Sequence, residues 1–308
     1  MIAVWIVLGV AIVALVAAYI CYRIAFVVNK RLLQNPREML PGEQYEALKD
    51  RILPLVDEAV AIPYEDVWIT AADGVRLHGY YYETAAGAPI EVQVHGYKSI
   101  AIRDFGGGLQ HALASGHNVL LIDQRAHGQS EGRCLTFGIL ERDDVLGWVN
   151  YLCDRFGDDV KIVLVGVSMG AATVMMAAEL DLPQNVKGIV ADSGYTSPRD
   201  IIRNDIRSRG LLPAVFYPLL RLGAFLYGHF NLEKCDAPSA LAKTTIPVLF
   251  IHGEDDRFVP CEMSRICYEA CASKKTLLTV PDAGHGLGFL IDGDAYTQKL
   301  KQLYDEVL

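Results

Sequence analysis

The chain has 308 residues, 52% of them hydrophobic and 21% charged, with a formal net charge of −9. That length accommodates one large α/β domain, or one domain with a small addition. The acidic balance argues against a nucleic-acid partner, whose phosphates bind basic surfaces, and the sequence contains no internal repeat, low-complexity tract or P-loop type of glycine loop.

The N-terminus differs from the rest. Ile2 to Tyr22 contains no charged residue, and as a helix it spans roughly 30 Å, the thickness of a bilayer core. A cleaved secretory signal normally carries a basic leading region and a small-x-small processing site. Here no Lys or Arg precedes Arg23, and Ala18-Tyr19-Ile20-Cys21 places bulky residues where processing wants small ones. The expectation is an uncleaved membrane anchor over residues 1–22, a helical connector over 23–62 and a globular domain over 63–308. Arg23, Lys30, Arg31 and Arg37 all follow the span, so the positive-inside rule places the globular domain in the cytoplasm. Seven cysteines, an odd number, form no disulfide framework. Cys261, Cys267 and Cys271 fall on one expected helix, but no His or Asp set completes a metal site, so they read as small apolar packing residues.

Further along, Gln44 to Ala59 reads as a helix able to pack on the body or on the membrane surface. "EDVWITAADGVRLHGYYYE" is two strand-like runs joined around Asp73-Gly74, a hairpin signal. The pattern then alternates. Strand Ile90–Val94 leads to a helix near Leu109–Ser115, strand Asn118–Asp123 to helix Ile139–Phe156, and strand Lys161–Val167 to helix Met169–Asp181. Strands Val186–Asp192 and Pro247–His252 follow, then helix Cys261–Ala272, strand Thr276–Val280 and a last helix Ala295–Val307. An antiparallel opening followed by repeated βα units predicts an α/β fold, a mostly parallel eight-stranded sheet with helices on both faces. Ligands in such sheets bind at the carboxyl ends of the strands. An insertion of about 197–240 breaks the alternation. Its centre, Leu211–Phe230, is strongly apolar with helical spacing, yet Pro213, Pro218, Arg221 and Gly223 interrupt it too often for a second span. It reads as a helical lid whose inner face lines the pocket, with Phe225 as the position at which to test that wall.

The chemistry begins at Gly166-Val167-Ser168-Met169-Gly170. A strand that turns abruptly into a helix strains the junction residue and leaves room only for small neighbours. The turn lifts the Ser168 hydroxyl above the sheet end and frees the Met169 backbone N–H to donate to an anion. A serine hydroxyl needs a base, and in this topology the chain order is nucleophile, acid, histidine. Of the three later histidines, His229 lies in the insertion and His252 ends a strand. His285, in the glycine-flanked "PDAGHGLGF" after the final strand, is where the base belongs. The turn "VLFIHGEDDRFVP" offers Glu254, Asp255 and Asp256 as the acid, with Asp192 as a rival on the preceding strand. Spacing alone does not choose between Asp255 and Asp256. In "HGYKS", Gly96 lets the backbone approach the site, which places the Tyr97 N–H beside that of Met169 as the second oxyanion donor. His95 reads as ordering this loop rather than transferring a proton.

Four stretches, "VHGY", "DQRAHGQSEG", "GVSMG" and "HGEDDRFVP…AGHG", together resemble the α/β-hydrolase superfamily. The branch it most resembles is the serine aminopeptidase and monoglyceride-lipase-like group, close to bacterial membrane-anchored hydrolases. The resemblance covers about Tyr64 to Leu308. It implies that Asp256, on the motif H-G-x-x-D-x-x-V-P, is the acid, and that Tyr97 and Met169 donate to the oxyanion. It also implies that Arg125 and His127 order the floor of the site. The resulting expectation is a membrane-anchored serine hydrolase acting on a small, lipid-like ester or acyl substrate, with no metal and no organic cofactor. Peptidase and thioesterase action, acyl transfer and a non-catalytic binding role are the alternatives, because fold does not determine substrate.

Overall fold

The computed structural model describes residues 1–39 and 42–308. Helix α1 (Ile2–Phe26) leads through a 3₁₀ turn to α2 (Glu43–Ala47) and α3 (Lys49–Ala61). The hairpin β1 (Glu65–Thr70) and β2 (Arg76–Tyr82) precedes β3 (Ile90–Val94), α4 (Ala101–Asp104), α5 (Gly106–Ala114) and β4 (Asn118–Ile122). Then come α6 (Glu141–Phe156), β5 (Ile162–Val167), α7 (Met169–Ala177) and β6 (Val186–Asp192). Helices α8 (Pro198–Ser208) and α9 (Pro213–Gly223), a π-helical turn (Ala224–Gly228) and α10 (Ala237–Leu241) fill the insertion. The chain finishes with β7 (Val248–Gly253), α11 (Cys261–Ala270), β8 (Lys275–Val280), α12 (Gly288–Ile291) and α13 (Gly293–Val307).

The eight strands form one sheet in the order β1-β2-β4-β3-β5-β6-β7-β8. The pairs β1–β2 and β2–β4 are antiparallel and the rest parallel, as the alternation of strand and helix predicts. Because side chains alternate across a strand, β5 sends Ile162 and Leu164 into one buried cluster and Val163 and Val165 into the other. A sheet buried on both faces needs the unbroken aliphatic runs seen in β3, β4 and β5.

Helix α5 starts three residues before the expected Leu109, at a run of three glycines. The reason is a close crossing. A Cβ on Gly106 would stand 3.2 Å from the Leu55 backbone in α3, and one on Gly107 would stand 2.9 Å from the Phe289 ring. Helix α7 stops at Ala177, short of the expected Asp181, where the Ala178 and Leu180 N–H groups turn to acceptors three residues back, Met175 at 3.2 Å and Ala177 at 2.9 Å.

Among the described residues, one helix is long and apolar enough to cross a membrane. Its apolar window has a mean hydropathy of 2.7. Its N-terminal half is bare, whereas Ala18, Tyr22 and Phe26 are buried against the body.

Candidate active site

The carboxyl ends of β3, β5, β6 and β7 converge on one region. Ser168 lies between β5 and α7 with φ 56° and ψ −116°, a left-handed conformation that a side-chain-bearing residue adopts only when its surroundings enforce it. Two glycines do so here. A Cβ on Gly166 would lie 2.3 Å from the Gly170 carbonyl oxygen, and one on Gly170 would lie 1.8 Å from that of Val94. The Ser168 N–H donates to the Asp192 carbonyl at 2.8 Å, tying the turn to β6. Met169 occupies the first turn of α7, where backbone N–H groups have no intrahelical acceptor.

The loop after β3 passes beside the serine. A Cβ on Gly96 would stand 3.4 Å from that of Ser168. The Gly96 N–H donates to Asp104 at 2.8 Å, and Lys98 holds a left-handed φ of 46°. Buried His95 accepts from the Gln124 N–H through Nε2 at 3.1 Å and therefore donates from Nδ1 to its neighbour's carbonyl, Gly96 O, at 2.8 Å. Burial pushes its pKa down, so it is a neutral strut for the loop. Beneath it, His127 donates to the Arg125 carbonyl at 2.9 Å, and burial lowers its pKa to about 3. Arg125 itself forks onto Asp144 with two bonds of 2.6 Å and reaches Asp73 at 2.9 Å. These bonds tie the loop after β4 to α6 and to the β1–β2 hairpin.

His285 stands in the loop between β8 and α12, half-buried, with Nδ1 2.6 Å from Asp256 Oδ2. The other carboxylate oxygen, Oδ1, accepts the N–H groups of Phe258 and Val259, each at 2.8 Å. Burial alone would raise the pKa of Asp256. The His285 imidazole and hydrogen bonds from His252 and His285 outweigh that and hold the carboxyl well below the usual carboxylate range. For His285 burial acts downward, but the charge and hydrogen bond of Asp256 dominate and raise its pKa above the ordinary histidine value. The Asp256 turn and the His285 loop touch through Gly253, where a Cβ would meet the Ala283 carbonyl oxygen at 2.3 Å.

The rival carboxylates are engaged elsewhere. Asp192 accepts from Ser193 Oγ at 2.8 Å and from the Tyr296 hydroxyl at 3.0 Å, and burial raises its pKa. Glu254 accepts from Thr279 at 2.7 Å, while exposed Asp255 uses its backbone N–H to hold Ala283. Ser168, Asp256 and His285 thus share one end of the sheet with Tyr97 and Met169.

Several contacts around the site had no counterpart in the sequence reading. His252 donates from Nε2 to Val259 O at 2.8 Å and stands 3.1 Å from Asp256 Oδ2, with Nδ1 accepting from Ser264 at 2.7 Å. Tyr45 in α2 donates to the His285 carbonyl at 3.0 Å and stacks on Phe258, whose ring meets His285 edge to face. The Tyr97 hydroxyl and the Lys98 ammonium donate to the carbonyls of Ala25 and Ile24, both at 2.7 Å. They satisfy the last carbonyls of α1, which a helix end leaves without partners. Only the spacing H-G-x-x-D offered a signal for His252. The contacts from residues 24–45 span the length of the chain and leave no local trace. Phe225, read as a pocket wall, is instead 64% exposed. The π turn adds a residue to the helical repeat, and the chain there turns its buried side toward α1.

Comparison with known proteins follows the same lines. A family model described as "Alpha/beta hydrolase family" matches residues 92–298. The chain is 27% identical over 198 residues to YqkD of Bacillus subtilis, covering 63% of this chain and 64% of that protein. With YfhR of Escherichia coli K12 it shares 26% over 244 residues, 77% of this chain and 78% of the relative. Among solved structures, the Pyrococcus furiosus esterase Pf2001 superposes with a TM-score of 0.65 at 23% identity, over 81% of this chain and 95% of that one. Est1E from Butyrivibrio proteoclasticus, solved with ferulic acid bound, superposes with a TM-score of 0.59 at 20% identity, over 77% and 98%.

Proposed function

The chain belongs to the alpha/beta hydrolase family, and on that premise we propose that it is a serine hydrolase that cleaves ester or related acyl bonds through an acyl-enzyme. Ser168 Oγ attacks the substrate carbonyl while His285 Nε2 takes its proton. Asp256 keeps the proton of the imidazole on Nδ1 and stabilises the imidazolium that forms. The oxyanion is received by the N–H groups of Tyr97 and Met169, a pair of dipoles aimed at the charge that develops. The tetrahedral species collapses as His285 returns the proton to the leaving group. Water, activated by the same histidine, then releases the acid and regenerates Ser168. Every step is acid–base or acyl chemistry and calls for neither metal nor organic cofactor.

The observation that carries this reading is the 2.6 Å contact between His285 Nδ1 and Asp256 Oδ2, at the sheet end where Ser168 is held in its strained turn. Fluorophosphonate labelling of the purified full chain tests it. Wild type should label, Ser168→Ala should not, and equal labelling of both would remove Ser168 as nucleophile. A panel of esters, thioesters and amides, with and without an acceptor alcohol, then separates hydrolase from transferase and esterase from peptidase.

We further read α1 as an uncleaved membrane anchor and the substrate as lipid-like. Support for retention of α1 is its integration into the body. Gly223 approaches Ala18 so closely that a Cβ would lie 2.5 Å from the Ala18 carbonyl oxygen, and Leu135 N–H donates to Phe26 O at 2.9 Å. Cleavage near residue 20 would remove part of that interface. The aromatic rings of Tyr97, Phe137 and Phe258 near the serine and histidine loops suit an apolar acyl group, each buried CH₂ of which gains about 0.8 kcal/mol. Protease treatment of intact cells, together with the mature N-terminal sequence, tests the anchor and its cytoplasmic orientation.

A further inference from the structure

Helix α9 is apolar on two sides. Its inner side is buried through Tyr217, Leu220 and Gly223. Its outer side carries Leu212, Val215, Leu219, Leu222 and Leu226, spaced by steps of three and four, a single helical stripe. Leu212 is 68% exposed, Val215 53% and, beside the stripe, Phe225 64%. Leu211 to Phe230 contains no acidic residue and only Arg221 and His229 as basic ones. Arg221, paired with Glu233 at 3.5 Å, is the one charge on this helix, Leu219 and Leu222 are half-buried, and an exposed apolar stripe of this kind is ordinarily covered by protein or by lipid.

The geometry of α1 identifies what covers the outer side. Ile2 to Val13, twelve residues, are free of the body and extend only about 18 Å, against roughly 30 Å of hydrocarbon to be crossed. The missing depth must come from the next two to three turns, through about Cys21. Those turns are where the insertion packs. Gly223 meets Ala18 and Tyr22, the Tyr227 ring lies 5.1 Å from that of Tyr19, and the Tyr227 hydroxyl donates to Leu15 O at 3.2 Å. Gly223, the Tyr227 ring and Gly228 all pack at the level of Ala18 to Tyr22, and the Tyr227 hydroxyl reaches on to Leu15. Phe225 and Leu226 lie in the chain between these contacts. Arg23, the first charge after the span, stands above them over the Tyr19 ring, the arrangement of an interfacial anchor.

We propose that the outer face of α9 and the π turn is seated in the bilayer leaflet that holds the C-terminal end of α1, so that the insertion is a second membrane-embedded element beside the span. This rests on the reading of α1 as a membrane span. The embedded face brings the mouth of the insertion level with the acyl chains, from which an apolar substrate reaches Ser168 without crossing water.

The test uses the full chain reconstituted in phosphatidylcholine vesicles carrying brominated acyl chains, which quench indole fluorescence on contact. Trp5 lies in α1, while Trp68 and Trp148 lie in the body, so the fluorescence lost on Trp5→Phe isolates the α1 signal. In the Trp5→Phe background, the indole introduced by Leu226→Trp should be quenched and blue-shifted. Bromine near the glycerol end should quench it more than bromine near the chain terminus. Val215→Trp is the second probe should Leu226→Trp fold poorly. If Trp5 is quenched and both introduced indoles behave like Trp68 and Trp148, the embedded face is refuted and the span survives. If Trp5 itself is untouched by bromine, the span reading falls and this proposal falls with it.

Discussion

Replacing Asp256 by Asn changes one atom and nearly no volume, so its effect isolates the carboxylate. Asp256 Oδ1 accepts two backbone N–H groups, from Phe258 and Val259 at 2.8 Å. An asparagine keeps those bonds only by placing its carbonyl oxygen there. Its NH₂ then faces His285 Nδ1, at the present 2.6 Å position, and also His252 Nε2 at 3.1 Å. A donor facing Nδ1 forces the proton of His285 onto Nε2, toward Ser168, which is the tautomer unable to accept the serine proton. Against His252, which already donates to Val259 O, the NH₂ has no acceptor to meet. The variant should therefore fold and lose kcat by about 10³- to 10⁴-fold, about 4–5.5 kcal/mol of transition-state stabilisation. The pH profile supplies an independent check. In wild type the raised pKa of His285 means that kcat/KM increases with pH through an apparent pKa above the ordinary value of about 6.5, because the protonated imidazole is no base. With the carboxylate neutralised, that limb should move to lower pH. Steady-state hydrolysis of a nitrophenyl ester across pH, by the full chain in detergent, measures both. A loss within tenfold and an unmoved acid limb would refute the argument, as would a larger loss from Asp192→Asn than from Asp256→Asn.

Other expectations follow from contacts at the same sheet end. Gly170→Ala forces a Cβ to within 1.8 Å of the Val94 carbonyl and should cost about 3 kcal/mol or more, lowering Tm by roughly 6–12 °C. Gly293→Ala, with nothing within 4 Å of the added Cβ, should melt like wild type, and equal melts for the two would defeat the steric account of the elbow. Tyr97→Phe and Lys98→Met each delete a 2.7 Å bond to the end of α1, worth about 1 kcal/mol. If those bonds position the oxyanion loop, kcat should fall about fivefold per variant at unchanged KM, whereas a lower Tm at unchanged kcat would make them purely structural. In a series of nitrophenyl esters, kcat/KM should rise from acetyl to a medium chain, each CH₂ contributing up to about 0.8 kcal/mol; a flat series would remove the lipid-like substrate.

The order of strands and helices was readable along the chain because it rests on local rules. Short aliphatic runs alternating with helical patterns point to a parallel sheet covered on both faces, and the glycines two before and two after Ser168 mark a turn with no room for a Cβ at either position. The choice between Asp255 and Asp256 was different. Two adjacent acids in one turn have the same composition and spacing, so Asp256 is named only through the family resemblance; the physical basis, the Phe258 and Val259 N–H groups holding one carboxylate oxygen while the other faces His285, is visible only in the folded loop. The glycines before Leu109 read as loop because their helical cost is intrinsic, while the close crossing of α3 that requires them is a tertiary fact. What the sequence could least disclose is the role of its first sixty residues. Ile24, Ala25 and Tyr45 carry no motif, yet they bond to the loops of Tyr97, Lys98 and His285. Such contacts join positions up to 240 residues apart; Ile24 and Ala25 contribute backbone carbonyls, which place no demand on residue identity, while the partner of the Tyr45 hydroxyl is set only by the fold.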